Sequence, residues 1–215
     1  MKLNIIVPDK LSEITLDQYQ RFTKLNTKEN EGSSFLLHKM IEIFCNVDLK
    51  DIATIKYTDV QKITLHLNKV FDTKTDLIPT FVLKGKEYGF IPQLDEMSFG
   101  EYIDLDNYLG DWDNMHKAMS VLYRSVKFKK ENKYQIEDYN KSNDIMKEMP
   151  LDVALGAMVF FYHLNSELLQ ITMNFLSKEI PKELTYQQKQ ILEQSGVGIN
   201  QSMDLLKGML PSLMK

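Results

Sequence analysis

Apolar side chains recur three and four positions apart through most of this chain and alternate with polar ones in only two short stretches. Thr15 is followed three residues on by Gln18, the spacing of a capping box, and Leu16, Tyr19, Phe22 and Leu25 then fall on one helical face. That pattern predicts a helix over 16–25. The polar run 26–34, with Gly32, reads as a loop, and Phe35, Leu36, Met40, Ile43 and Phe44 mark a second helix packed on the first as a hairpin. Asp48 or Thr54 would cap short turns. A third helix starts near Thr58 and runs through Ile63, Leu67, Val70 and Phe71.

The two alternating stretches read as strands. Leu3, Ile5 and Val7 give a short one that Pro8 closes, and Phe81–Ile91 gives strand, Gly-centred turn, strand. A lone hairpin is marginal in water, so it needs a third strand, for which residues 3–7 are the candidate. Ser98 with Glu101 repeats the capping-box spacing before Tyr102, Leu105, Tyr108 and Leu109, and Gly110 stops that helix. Another begins near Asp111 and carries Trp112, Met115, Met119 and Leu122 on one face. Residues 127–142 are polar without clear periodicity and read as an exposed excursion.

Pro150 opens the longest helical signal, 151 to about 176, expected to be the central helix because both faces of 153–164 are apolar. The fold class is therefore mainly α, a helical domain over 1–180 with a small antiparallel β-hairpin near 81–91, three-stranded if the N-terminal strand joins it. Residues 181–215 form a helical extension with a Gly hinge at 195–198. In it Met203, Leu206, Leu210 and Leu213 line a short amphipathic end, readable either as the edge of the core or as a helix offered to a partner's groove.

Composition narrows the function more than the fold. With 215 residues, 43% hydrophobic and 26% charged, the chain can bury a core without staples. Its one cysteine, Cys45, sits on an apolar helical face and has no internal partner, which suits a reducing compartment. The N-terminal apolar run is too short for a signal peptide, and no apolar run reaches the length of a membrane span, so neither secretion nor a membrane role is expected. A net charge of −4 opposes nucleic-acid binding through phosphate neutralisation.

Candidate chemistry is sparse. Seven carboxylates and no Lys or Arg lie between residues 95 and 113. Asp104 and Asp106 with His116 are the candidate metal ligands, but an EF-hand count from Asp104 puts Leu109 where glycine belongs and Met115 at the bidentate glutamate position. Helix caps and a solvated face explain the cluster better, so no metal or other cofactor is expected. His38, His66, His116 and His163 have no ligand-spaced partners, and no nucleophile or phosphate-loop motif accompanies them, which predicts no enzyme activity. Basic residues from Lys117 to Lys133, interleaved with Tyr123, Phe128 and Tyr134, suit single-stranded nucleic acid in principle, but the adjoining acids dilute their field. A metal- or nucleic-acid-binding regulator using residues 95–133 is the remaining alternative from that region.

Tyr88-Gly89-Phe90-Ile91-Pro92, Phe99 to Asp106, Asp111 to Met119 with Leu122-Tyr123-Arg124, and Met149 to Val153 together carry a resemblance. Over about residues 3–176 the chain resembles tail-assembly proteins of tailed bacteriophages, distantly similar to the baseplate hub assembly proteins of T-even-like phages. The resemblance implies a non-enzymatic, chaperone-like role, with phage tail or virion proteins as partners, in the host cytoplasm during assembly. A permanent virion part, in the baseplate, neck or capsid, is the alternative, and homo-oligomerisation stays open. Trp112, Met115, Met119 and Arg124, with Met203, Leu206, Leu210 and Leu213, are the expected partner-binding residues, on the ground that aromatic and Met-rich surfaces carry interface energy.

Overall fold

The computed structural model describes residues 5–131, 133–141 and 144–179. Its helices are α1 (Leu16–Leu25), α2 (Ser34–Cys45), the single turn α3 (Leu49–Ile52), α4 (Tyr57–Phe71), α5 (Phe99–Tyr108), α6 (Met115–Leu122) and α7 (Leu151–Glu179). A four-stranded antiparallel sheet runs β1 (Thr80–Leu83), β2 (Lys86–Phe90), β3 (Tyr123–Lys130) and β4 (Lys133–Ile136) in that spatial order. The expected helices and hairpin are present, but the hairpin belongs to a four-stranded sheet, so the fold is mixed α and β with helix dominant.

Local chemistry accounts for the helix starts. At α1 the Thr15 hydroxyl accepts from the Gln18 amide N–H while the Gln18 carboxamide oxygen accepts from the Thr15 N–H, closing the predicted box. The other end of the buried Gln18 side chain donates 2.7 Å to the Ile43 carbonyl, satisfying one of the orphan acceptors at the end of α2. So one residue both starts α1 and holds the α1–α2 hairpin. Phe22, Phe44, Phe71, Tyr19 and Trp112 then interlock as ring pairs 4.8–5.9 Å apart, joining α1, α2 and α4 to the start of α6.

Two expectations are corrected in the sheet. The third strand is β3, and the expected N-terminal strand is not formed over its described part, 5–7: Tyr88, Gly89 and Phe90 pair with Ser125, Arg124 and Tyr123. Residues 5–8 form no strand; Ile5 and Val7 pack against the core, and the Pro8 carbonyl meets His66 on α4. The supposed excursion over 127–142 holds the outer half of β3 and all of β4, with a bulge between Val126 and Phe128 that breaks the alternation. The hairpin turn itself matches expectation, since Lys84 and Gly85 both adopt positive φ, as a primed two-residue turn needs.

Burial also relocates the centre. Every residue of α6 except Lys117 is buried, whereas α7 is buried over Leu151–Met158 apart from Asp152 and grows exposed afterwards, with Ile171 on the surface. The core is built around α6. A backbone clamp fastens the first turns of α1 and α7 to each other, with Leu16 N–H donating to the Met149 carbonyl and Leu151 N–H to the Ile14 carbonyl.

The Tyr134 ring from β4 crosses the backbone of Gly89, where an added Cβ would sit 2.4 Å from a ring carbon. The Tyr134 hydroxyl is anchored on the Phe90 carbonyl at 2.8 Å, so the ring cannot simply swing away. We expect Gly89→Ala to cost about 1–3 kcal/mol. Denaturant titration of the single variants and the double variant with Tyr134→Ala should show the two costs falling short of additive by about 1 kcal/mol.

Candidate binding surface

The capping box of α5 turns a carboxylate inward. Ser98 Oγ accepts from the Glu101 N–H, and Glu101 Oε2 accepts from the Ser98 N–H at 2.7 Å. The same carboxylate offers Oε1 to Arg124 Nη1 on β3, also at 2.7 Å, with the two side chains only 9% and 15% exposed. Burial alone would raise the Glu101 pKa, but the Ser98 hydrogen bonds and the Arg124 charge outweigh it and hold the carboxyl below its ordinary value. This pair locks the start of α5 onto the sheet. Beside it, Tyr139 donates to Asp104 Oδ2 at 2.8 Å, and burial followed by that bond to a carboxylate pushes the phenol pKa up.

Between these two ties lies a cavity of about 870 Å³, walled by Glu96, Gly100, Glu101 and Asp104 from the α5 side and by Arg124, Tyr134 and Tyr139 from β3, β4 and the segment after it. The acidic run and the basic run of the sequence therefore face each other across one hollow. Arg124 opposes Glu101, Lys127 opposes Asp138 at 3.3 Å, and Lys129 opposes Glu87, so three of the four basic residues of β3, all but Lys130, are matched with carboxylates. A phosphate backbone would have to displace those partners.

On the opposite side of α5, at about 100° per residue, Phe99, Tyr102 and Ile103 share the outward face. They are 77%, 57% and 41% exposed, respectively. Asp106, four residues from Tyr102 and three from Ile103, stands on the same face and is exposed. Tyr102 was expected on the inner face with Leu105; the inner face is instead Glu101 and Leu105, with Tyr108 half-buried beside them. Among the described residues no cation lies within ion-pair distance of Asp95, Glu96, Asp104 or Asp106.

Comparison with known proteins found no matching family model, no curated relative and no matching solved structure. Function must come from the geometry.

The structure scatters the expected site residues. Trp112, Met115 and Met119 are buried, so they make core and not a contact surface, which corrects that expectation; α6 is flanked by α5, β3 and the turn over 144–148, and α1 covers the Trp112 turn. Arg124 lies in the cavity wall. Met203, Leu206, Leu210 and Leu213 lie outside the described residues. Asp104 turns to Tyr139, Asp106 to solvent, and His116 is buried beside Gln20 and Asp144, so the three candidate metal ligands do not converge. No group of three His, Cys, Asp or Glu among the described residues has metal-holding geometry.

His116 has its own consequence. Gln20 Nε2 donates to the Trp112 carbonyl and also faces His116 Nδ1 at 3.2 Å, which leaves the ring proton on Nε2, 3.4 Å from Asp144 Oδ1. Burial first, then the charge of Lys147, lowers the His116 pKa below its ordinary 6.5, against the opposing pull of Asp144. An unfolded chain thus takes up this proton before the folded one does, and stability falls as pH drops below 6.5. Replacing the ring by His116→Gln should flatten the stability–pH curve between 6.5 and the lowered value, as followed by thermal melts.

Proposed function

We propose that this chain is a non-enzymatic assembly protein of a tailed bacteriophage that binds a tail or baseplate polypeptide through the outer face of α5. Three exposed apolar side chains on adjacent turns of one helix carry this reading, because water-facing Phe, Tyr and Ile grouped together are the raw material of a protein interface. The strings that carry the phage resemblance support it: Tyr88–Pro92, Phe99–Asp106 and Leu122–Arg124 are separate in sequence and meet around the same cavity. On this reading the chain works in the host cytoplasm while tails are being built.

Purification of the tagged full-length chain from phage-producing cells tests the proposal. A tail or baseplate protein should accompany the wild type and be lost from the Phe99→Asp/Ile103→Asp variant. A wild-type chain that purifies without any tail protein would overturn it. Mass spectrometry of purified virions separates the two forms of the role, since stoichiometric copies there mean a permanent component and their absence means a transient one.

A further inference from the structure

We infer that the occupant of the α5 face is a basic amphipathic segment of the partner polypeptide, its apolar side chains seated on Phe99, Tyr102 and Ile103 and its Lys or Arg residues reaching the surrounding carboxylates. The inference rests on the proposed function and adds the chemistry of the partner. Its ground is charge complementarity. The three apolar side chains are centred in a stretch, residues 95–113, that contains seven acids and no Lys or Arg. Several other surface carboxylates are already paired: Asp113 by Lys24, Glu87 by Lys129, Glu137 by Lys86, Asp138 by Lys127 and Glu148 by Lys84.

Asp95, Glu96, Asp104 and Asp106 have no cation partner among the described residues and stand on α5 or in the four residues before it. Asp106 lies within the patch itself, Asp95 and Glu96 are exposed just before the helix, and Asp104 lies on its cavity side. The C-terminal end of α5 adds the negative pole of its helix dipole near Tyr108. An acidic partner segment would meet the unneutralised Asp95, Glu96 and Asp106, and a purely apolar one would bury Asp106 unpaired. A cation fits the local chemistry in a second way: Lys117 Nζ already stands 5.3 Å over the Tyr108 ring on this helix, and Tyr102 presents a free ring face one and a half turns away.

The test uses the full chain and two synthetic probes, amphipathic helical peptides of about 15 residues with identical Leu faces and either Lys or Glu at every flanking position. Fluorescence anisotropy should show the Lys peptide binding at least about tenfold more tightly than the Glu peptide, with the difference shrinking in about 0.5 M salt. Phe99→Asp/Ile103→Asp should abolish binding, and Asp95→Lys/Glu96→Lys/Asp106→Lys should invert the preference between peptides; all these positions are exposed, and circular dichroism checks that the fold persists. Equal affinity for the two peptides, binding untouched by the α5 substitutions, or neither peptide binding overturns the inference. So does a concentration-dependent dimer, seen by sedimentation of the wild type and lost in Phe99→Asp/Ile103→Asp, because the occupant is then a second copy. If tail proteins still accompany the wild-type chain while the peptide arm fails, the charge assignment falls and the assembly role stands.

Discussion

Arg124→Leu should lower the stability of this protein by about 3–5 kcal/mol, a drop of roughly 6–20 °C in melting temperature, although the replaced side chain lies away from the centre of the core. The loss comes from what stays behind. Glu101 is fixed in place by the Ser98 cap, and without Arg124 its nearly buried carboxylate has no counter-charge. Glu101→Gln added to Arg124→Leu should therefore recover part of the loss, because it removes the stranded charge and keeps an acceptor for the Ser98 N–H.

Acidity gives an independent check. In the wild type the carboxyl pKa is held below its ordinary 4.5, so its contribution is fully present above that value and is lost as pH falls through the lowered one. In Arg124→Leu the shift loses its main coulombic support, and protonation relieves the buried charge. The two stability curves should accordingly converge as pH drops below about 4.5 in urea melts at stepped pH. Parallel curves would mean that Arg124 acts by packing alone.

Gly156→Ala carries the second large effect and a reversed sign. In an ordinary exposed helix interior the change stabilises by about 1 kcal/mol, since alanine is the better helix former. Here Gly156 lies in the buried half of α7 directly beneath the segment before β1, and a Cβ would stand 2.2 Å from the backbone oxygen of Asp76. A backbone carbonyl cannot rotate aside as a side chain can, so either α7 or the 72–79 segment must move. We expect a loss of about 3 kcal/mol or more, read as a lowered denaturation midpoint with an unchanged slope. A midpoint that rises would show that the segment yields freely.

What the sequence disclosed, and what it hid, divides along physical lines. Both capping boxes, at Thr15 and Ser98, were legible because a cap is a local affair settled within four residues. The Phe81–Ile91 hairpin was legible for the same reason. β3 was not: its first residues, Tyr123 to Val126, alternate correctly, but they follow helical Leu122 without a break, and the outer half is exposed on every residue, so only its pairing with β2 and β4 makes it a strand. Which side of a helix faces inward was equally hidden. α5 has apolar residues on both faces, and the buried one is chosen by Glu101 reaching Arg124, a contact between residues on different elements. Trp112, Met115 and Met119 gave the converse case, where large apolar side chains mean core unless something keeps them wet. Phe99, Tyr102 and Ile103, the residues on which the functional proposal depends, had a faint signal in that two-sided pattern.

The clamp that joins Ile14 and Leu16 to Met149 and Leu151 has a bearing on biosynthesis. It ties positions about 135 residues apart, so helix α1 has no permanent seat until the start of α7 has left the ribosome. Earlier pieces such as the β1–β2 hairpin can form as they emerge, yet the amino-terminal end of α1 must wait with Ile14 and Leu16 uncovered. A ribosome stalled before residue 149 should hold a chain that proteases digest from its front end, and one stalled well past the clamp should not.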